Sequence, residues 1–247
     1  MYRHTLIALA VTVTATGAFA ASNHDTHWGY TGHGAPEQWG SLAAEFGTCS
    51  AGKSQSPVDI VATVDGQLPA LSPNYRPSEV TVVNNGHTIQ VDYADSANTL
   101  SVGGKEYTLK QFHFHVPSEN KIKGKQFPME AHFVHADAEG NLAVVGVLYE
   151  NGRENAKLAP IWKVMPKKEG SVKLRQTFNA ADLLPSNLDY YRFSGSLTTP
   201  PCSEGVAWMV LKNYDHISAK QAARFQAVIG SHNNRPVQPL NARIVVE

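Results

Sequence analysis

Beyond residue 20, the 247-residue chain contains no uninterrupted apolar stretch near the ~18 residues that a membrane-spanning helix needs. An excess of one charge is missing as well. The 21 Lys and Arg balance 21 Asp and Glu, and the formal net charge is +0, which argues against the basic surfaces of nucleic-acid or membrane-surface partners. Charge runs, internal repeats and low-complexity tracts are absent, so the sequence carries no signature of a repeat array or a long disordered tail. Cysteine is scarce. Cys49 and Cys202 either pair once or remain two buried thiols; for an exported chain one disulfide is the simpler reading. Closing so long a loop would stabilise the fold by up to about 5 kcal/mol in the chain-entropy model.

Export is suggested at the N-terminus. Tyr2, Arg3 and His4 precede an apolar run from about Leu6 to Ala15, and Ala18, Phe19, Ala20 has the small-residue pattern of a cleavage site. Residues 1–20 are therefore expected to be a signal peptide, with a soluble, periplasmic or secreted mature chain beginning near Ala21. Residues 21–247 fit one large domain.

Strong helix signals are few, and short β-like runs dominate. Val80 to Val83, Thr88 to Tyr93, Leu100 to Val102, Glu106 to Leu109 and Leu142 to Leu148 cluster or alternate β-branched residues. Hairpin chemistry lies between them at Asn84, Asn85, Gly86, at Gly103, Gly104, and at Glu139, Gly140, Asn141. Val206 to Leu211 suits a buried strand. Pro36 opens a short helix with Trp39, Leu42, Ala43 and Phe46 on one face, stopped by Gly47. Asn155 to Val164 is a second helical segment, interrupted by Pro160. Ser218 and Gln221 form a capping box for a third, which ends at Gly230. The fold class is mainly β: one domain on a large, mostly antiparallel twisted β-sheet with short peripheral helices.

One stretch carries chemistry. In Gln111, Phe112, His113, Phe114, His115, side chains at i and i+2 of a strand share a face, so Gln111, His113 and His115 project together. Glu130, His132 and Val134 repeat the logic, and Pro117, Gly124 and Pro128 lie in the connection that lets the second strand return beside the first. Three neutral imidazoles suit zinc, and three protein ligands leave a fourth position for water, as in catalytic sites. His24, His27 and His33 read as surface histidines. Trp28, Gly29, Tyr30 is too aromatic for an idle tail.

Several further segments complete a pattern: Gln55-Ser56-Pro57-Val58-Asp59-Ile60, Asn84-Asn85-Gly86-His87, Ser118-Glu119, Glu130-Ala131-His132-Phe133-Val134-His135 and Gly195-Ser196-Leu197-Thr198-Thr199-Pro200-Pro201. With these and the histidine strand, the chain resembles an α-class carbonic anhydrase of the exported bacterial kind over essentially its whole mature length. The resemblance implies a zinc enzyme (cofactor Zn2+) that reversibly hydrates carbon dioxide to bicarbonate and a proton, by attack of a hydroxide provided at the metal. It implies His113, His115 and His132 as ligands, with Gln111 and Glu130 accepting the free ring N–H groups of His113 and His132. Thr198 would donate its hydroxyl proton to Glu119 and orient the nucleophile. Val134, Val144, Leu197, Thr199 and Trp208 would form the substrate pocket. Cys202 would tether the Thr-Thr-Pro-Pro loop to Cys49.

Turnover then needs proton export. Direct transfer to hydroxide at about 10⁻⁷ M, with an encounter constant near 10¹⁰ M⁻¹s⁻¹, is capped at on the order of 10³ s⁻¹. His87 matches the family's shuttle position, with Tyr30 and Asn85 lining the water path. One departure stands out: Asn120 occupies a position where many members have histidine, with an effect expected on the Glu119 and Thr198 network. The alternatives are a non-catalytic carbonic-anhydrase-like binding protein, which would typically lose zinc histidines, and a zinc esterase. Expected partners are small molecules only, with the chain a monomer or homodimer.

Overall fold

The computed structural model describes residues 27–247. The expected signal peptide and His24 lie outside the described residues. Short strands with turn-rich connections assemble as the patterning dictates. β1 (Asp59–Ile60), β7 (Lys121–Ile122) and β8 (Lys125–Gln126) form a small sheet. The other strands are β2 (Ser72–Asn74), β3 (Val80–Asn84), β4 (Ile89–Tyr93), β5 (Thr99–Val102), β6 (Lys105–His115), β9 (Met129–Ala136), β10 (Leu142–Asn151), β11 (Gly170–Lys173), β12 (Tyr190–Ser196), β13 (Glu204–Leu211) and β14 (Asp215–Ile217). These build an 11-stranded sheet with the path β11-β3-β4-β6-β9-β10-β13-β12, with β14 beside β10, β5 beside β6, and β2 on the far side of β5.

Most pairs are antiparallel, as expected, but β10 runs parallel to both β13 and β14. The cause is the long intervening segment, which lets the chain re-enter in the same direction as a hairpin cannot. Glu106 to Leu109 is not a separate strand. It continues into the histidine run as β6, with a register shift against β9 between Leu109 and Gln111. Such a bulge re-aims the side chains beyond it.

The central strands are buried on both faces. Val145, Val147 and Tyr149 of β10 join Phe112, Phe114 and Phe133 in the larger core, with Trp162 and Phe225 packed on it from the helices. Val144 and Leu148 join Trp208, Val210 and Phe193 in the other. Burying one such side chain stabilises the fold by about 1.5–3 kcal/mol, so the sheet is a stiff support.

The helix expected from Pro36 to Phe46 is broken. α1 (Trp39–Leu42) ends at Ala43, which is extended, and after a 3-10 turn over Ala44–Phe46 the chain passes through Gly47 into α2 (Thr48–Ala51). Trp39, fully buried, bonds through its Nε1 to the carbonyls of Gly29 and Gly34, both 2.9 Å away, and this tertiary anchor overrides the helical period. Asn155 caps a 3-10 turn that leads into α3 (Ala159–Val164), with Pro160 tolerated in its first turn. α4 (Ala219–Ile229) has the expected capping box, and Gly230 at φ +90 closes it. Among the described residues no helix is long and apolar enough to cross a membrane.

Candidate metal centre and active-site cleft

β6 and β9 are antiparallel neighbours, with His113 opposite His132 and His115 opposite Glu130. Directly opposed Cβ atoms lie about 4.5–5.5 Å apart, close enough for rings to meet. The ring centroids are 5.0 Å apart for His113 and His115, 5.3 Å for His113 and His132, and 4.6 Å for His115 and His132. One ring nitrogen from each lies within 4.8 Å of the others.

The opposite nitrogen of each ring has a protein partner. His113 Nδ1 is 2.8 Å from Gln111 Oε1, and His115 Nδ1 is 2.7 Å from the carbonyl of Asn233. His132 Nε2 is 3.0 Å from Glu130 Oε1, close but off the axis of the ring N–H. His115 Nε2 is fully buried without a hydrogen-bond partner among the described residues. An orphaned buried acceptor is costly, and coordination of a cation would remove that cost. Burial holds the pKa of His115 down at about 4, against the upward pull of the Asn233 carbonyl. Burial, then the other two imidazoles, hold His113 well below the usual range. Both rings are neutral at pH 7, the form in which imidazole binds a metal. The donor set therefore fits zinc.

Two carboxylates lie beneath the imidazoles. Glu130 accepts from the backbone N–H of Glu119 at 2.9 Å and of Asn120 at 2.8 Å, and from the Asn120 side-chain amide at 2.8 Å. Burial alone would raise its pKa, but His132 and these donors bring it below the ordinary value. Asn120 thus serves Glu130, while its Oδ1 accepts the Val58 N–H at 3.0 Å. The Asn120 side chain therefore bears on Glu130 and not directly on the Glu119 carboxylate, although Glu130 also holds the Glu119 backbone N–H. Gly146, opposite His132, is also needed here: a Cβ on it would stand 2.9 Å from Glu130 Oε1.

Glu119 Oε1 accepts the Arg235 N–H at 2.7 Å, whereas Oε2 lies 3.5 Å from His115 Nε2 and 3.9 Å from His132 Nδ1. Burial pushes this carboxyl up to about 7, against the pull of His132, the Arg235 amide and the Thr198 hydroxyl. The Arg235 guanidinium is buried too and donates to Gln55 Oε1, Ser56 O and Cys49 O.

Above these groups opens a cleft of about 150 Å³. Val134, Val144, Leu197 and Trp208 give it an apolar wall, Thr198 and Thr199 line it, and Tyr30, Asn85 and His87 face it from the rim. Gln111, His113, His115 and His132 line it as well, whereas Glu119 and Glu130 support it from below. A wider groove of about 630 Å³, between Leu68 and Tyr190, has no converging imidazoles. The disulfide from Cys49 to Cys202 is formed, with an S–S distance of 2.05 Å. It anchors the loop after Thr198, which turns back through Cys202 N–H to Thr199 O at 2.9 Å.

At the rim His87 lies flat on Trp28, with ring centroids 3.7 Å apart and planes 8° from parallel. Trp28 and Tyr30 pack edge-on against Trp39, which ties the aromatic N-terminal segment to the cleft. Asn85 Oδ1 accepts the backbone N–H groups of His87 and Thr88, shaping the turn that presents the imidazole. Burial, then His27, lower the pKa of His87, and Glu169 partly restores it.

Sequence reasoning missed Asn233, Arg235 and Gly146. Asn233 acts on His115 through a backbone carbonyl and Arg235 acts on Glu119 through a backbone N–H, and every residue type but proline has both groups. The polar run Asn233, Asn234, Arg235, Pro236 after α4 therefore reads as an ordinary loop. For Gly146 the signal was a glycine inside an apolar strand run, which marks a close approach.

A sequence profile described as eukaryotic-type carbonic anhydrase matches residues 34–247. A carbonic anhydrase from Neisseria gonorrhoeae is 62% identical over 239 residues, covering 97% of this chain and 94% of that protein. Another, from Pectobacterium carotovorum, is 44% identical over 240 residues, covering 96% and 98%. Among solved structures, the α-carbonic anhydrase from Thermovibrio ammonificans in complex with the inhibitor sulfanilamide has a TM-score of 0.87 at 50% identity, covering 90% of this chain and 99% of that one. The sheet, the histidine triangle and these likenesses agree, and the chain belongs to the eukaryotic-type, or α, carbonic anhydrase family of enzymes.

Proposed function

We propose that the cleft hydrates carbon dioxide reversibly to bicarbonate and a proton, with zinc held by His113, His115 and His132. The observation that carries this reading is that each imidazole has one nitrogen beside a protein partner and the other turned toward a common point under an apolar wall. Zinc in that position would supply hydroxide near neutral pH, through a coordinated water whose pKa of about 7 is the value known for carbonic anhydrases. Gln111, Asn233 and Glu130 set the tautomers of the three rings. Thr198 donates to Glu119, which can only accept when ionised, so the lone pairs of its hydroxyl remain to receive and orient the nucleophile.

The substrate is a small gas without strong hydrogen-bonding demands, and Val134, Val144, Leu197 and Trp208 receive it, with Thr199 at the mouth. His87 accepts the proton and passes it to solvent. Tyr30, whose pKa burial and then Glu119 hold well above the usual range, stays protonated and lines the water path with Asn85. The disulfide braces the loop that carries Thr198. The chain acts after export, residues 1–20 being the leader and 21–247 the catalytic domain, as a monomer or homodimer with small-molecule partners only.

Stopped-flow hydration of carbon dioxide tests the reading. Activity is expected to vanish with a chelator and to return with zinc; zinc-loaded protein without activity would overturn it. His87→Ala should slow turnover chiefly at low buffer and recover with added imidazole. Without that recovery the shuttle assignment falls.

A further inference from the structure

One carboxylate at the rim has no part in this chemistry. Glu169 stands in the exposed loop before β11, and its Oε1 lies 3.0 Å from the point that a Cβ on Gly86 would occupy. Gly86, at φ +84, precedes His87 in the turn, so the carboxylate covers the backbone that presents the imidazole. Trp28 shields one ring face from water, the His27 ring centroid is 5.9 Å away, and the metal-site imidazoles lie across the cleft. Tyr30 is neutral, and Lys167 and Lys168 flank Glu169 in its own loop as exposed cations.

We infer that Glu169 is a positioning residue for proton transfer: it holds a negative charge against the Gly86–His87 turn and so keeps the His87 imidazole able to accept a proton from the cleft. The inference rests on His87 as the shuttle. A shuttle works in both directions only when its proton affinity matches that of its donor. Burial and His27 depress that affinity and Glu169 opposes them, so the carboxylate restores the match.

The test is an NMR titration of His87 in the wild type, Glu169→Gln and Glu169→Lys, in zinc-loaded and metal-free protein, with hydration kinetics on the same samples. Glu169 is exposed, so both variants should fold. The His87 midpoint should fall in Glu169→Gln and fall further in Glu169→Lys. At low buffer kcat should drop several-fold in the same order, kcat/KM should hold, and imidazole should restore the rate. A midpoint unmoved in both variants overturns the inference, as does a moved midpoint with unchanged kcat. Failure of the shuttle reading is distinct, because it appears as a His87→Ala enzyme that is not slowed while the Glu169 titration shifts persist.

Discussion

His132 and His135 stand three residues apart on one strand, both buried, on opposite faces of the sheet. In His135 both ring nitrogens are consumed. Nδ1 is 3.1 Å from the Ala143 carbonyl, which can only accept, so Nδ1 carries the proton and Nε2 accepts from the Tyr75 hydroxyl at 2.6 Å. In His132 only Nε2 has a near partner, Glu130, while Nδ1 turns toward the other two imidazoles. Burial does not separate His135 from His132, the proposed ligand. The ring nitrogen that His132 turns toward the other imidazoles does.

His132→Ala should break the comparison most sharply, taking bound zinc by elemental analysis and hydration activity to background while the fold survives. His135→Gln should leave zinc binding intact and change the response to acid. Burial holds His135 at about 4, below its ordinary 6.5, so the unfolded chain binds the proton first. Its contribution is fully present above pH 6.5 and is lost as pH falls toward 4, about 3 kcal/mol at most. Urea denaturation of chelated protein should therefore show the wild type losing more stability than His135→Gln across that window. Equal losses would remove His135 from the account. The smallest effect is expected from Glu130→Gln, which keeps the ligands but disturbs the partner of His132. Zinc affinity should fall about 10–100-fold, measured by competition with a chelator.

What could be read from the sequence follows from the range of each interaction. The histidine strands were legible because period-two alternation is local, and the α4 cap because Ser218 and Gln221 are three residues apart. The break at Ala43 was not, since it depends on where the Trp39 indole finds its carbonyls. The parallel pairing of β10 and β13 was equally hidden, because an apolar run does not state its direction. The carboxylate served by Asn120 was hidden for a related reason: sequence proximity to Glu119 does not show which way the amide points.

Asn233 has a consequence of its own. Its carbonyl bonds to His115, its Oδ1 accepts the Val116 N–H, and its Nδ2 donates to the carbonyls of both His87 and Phe114. The metal ligand and the rim histidine thus hang from a common mount. A displacement of this C-terminal segment would move His115 and His87 together, and with them both ends of the proposed proton route.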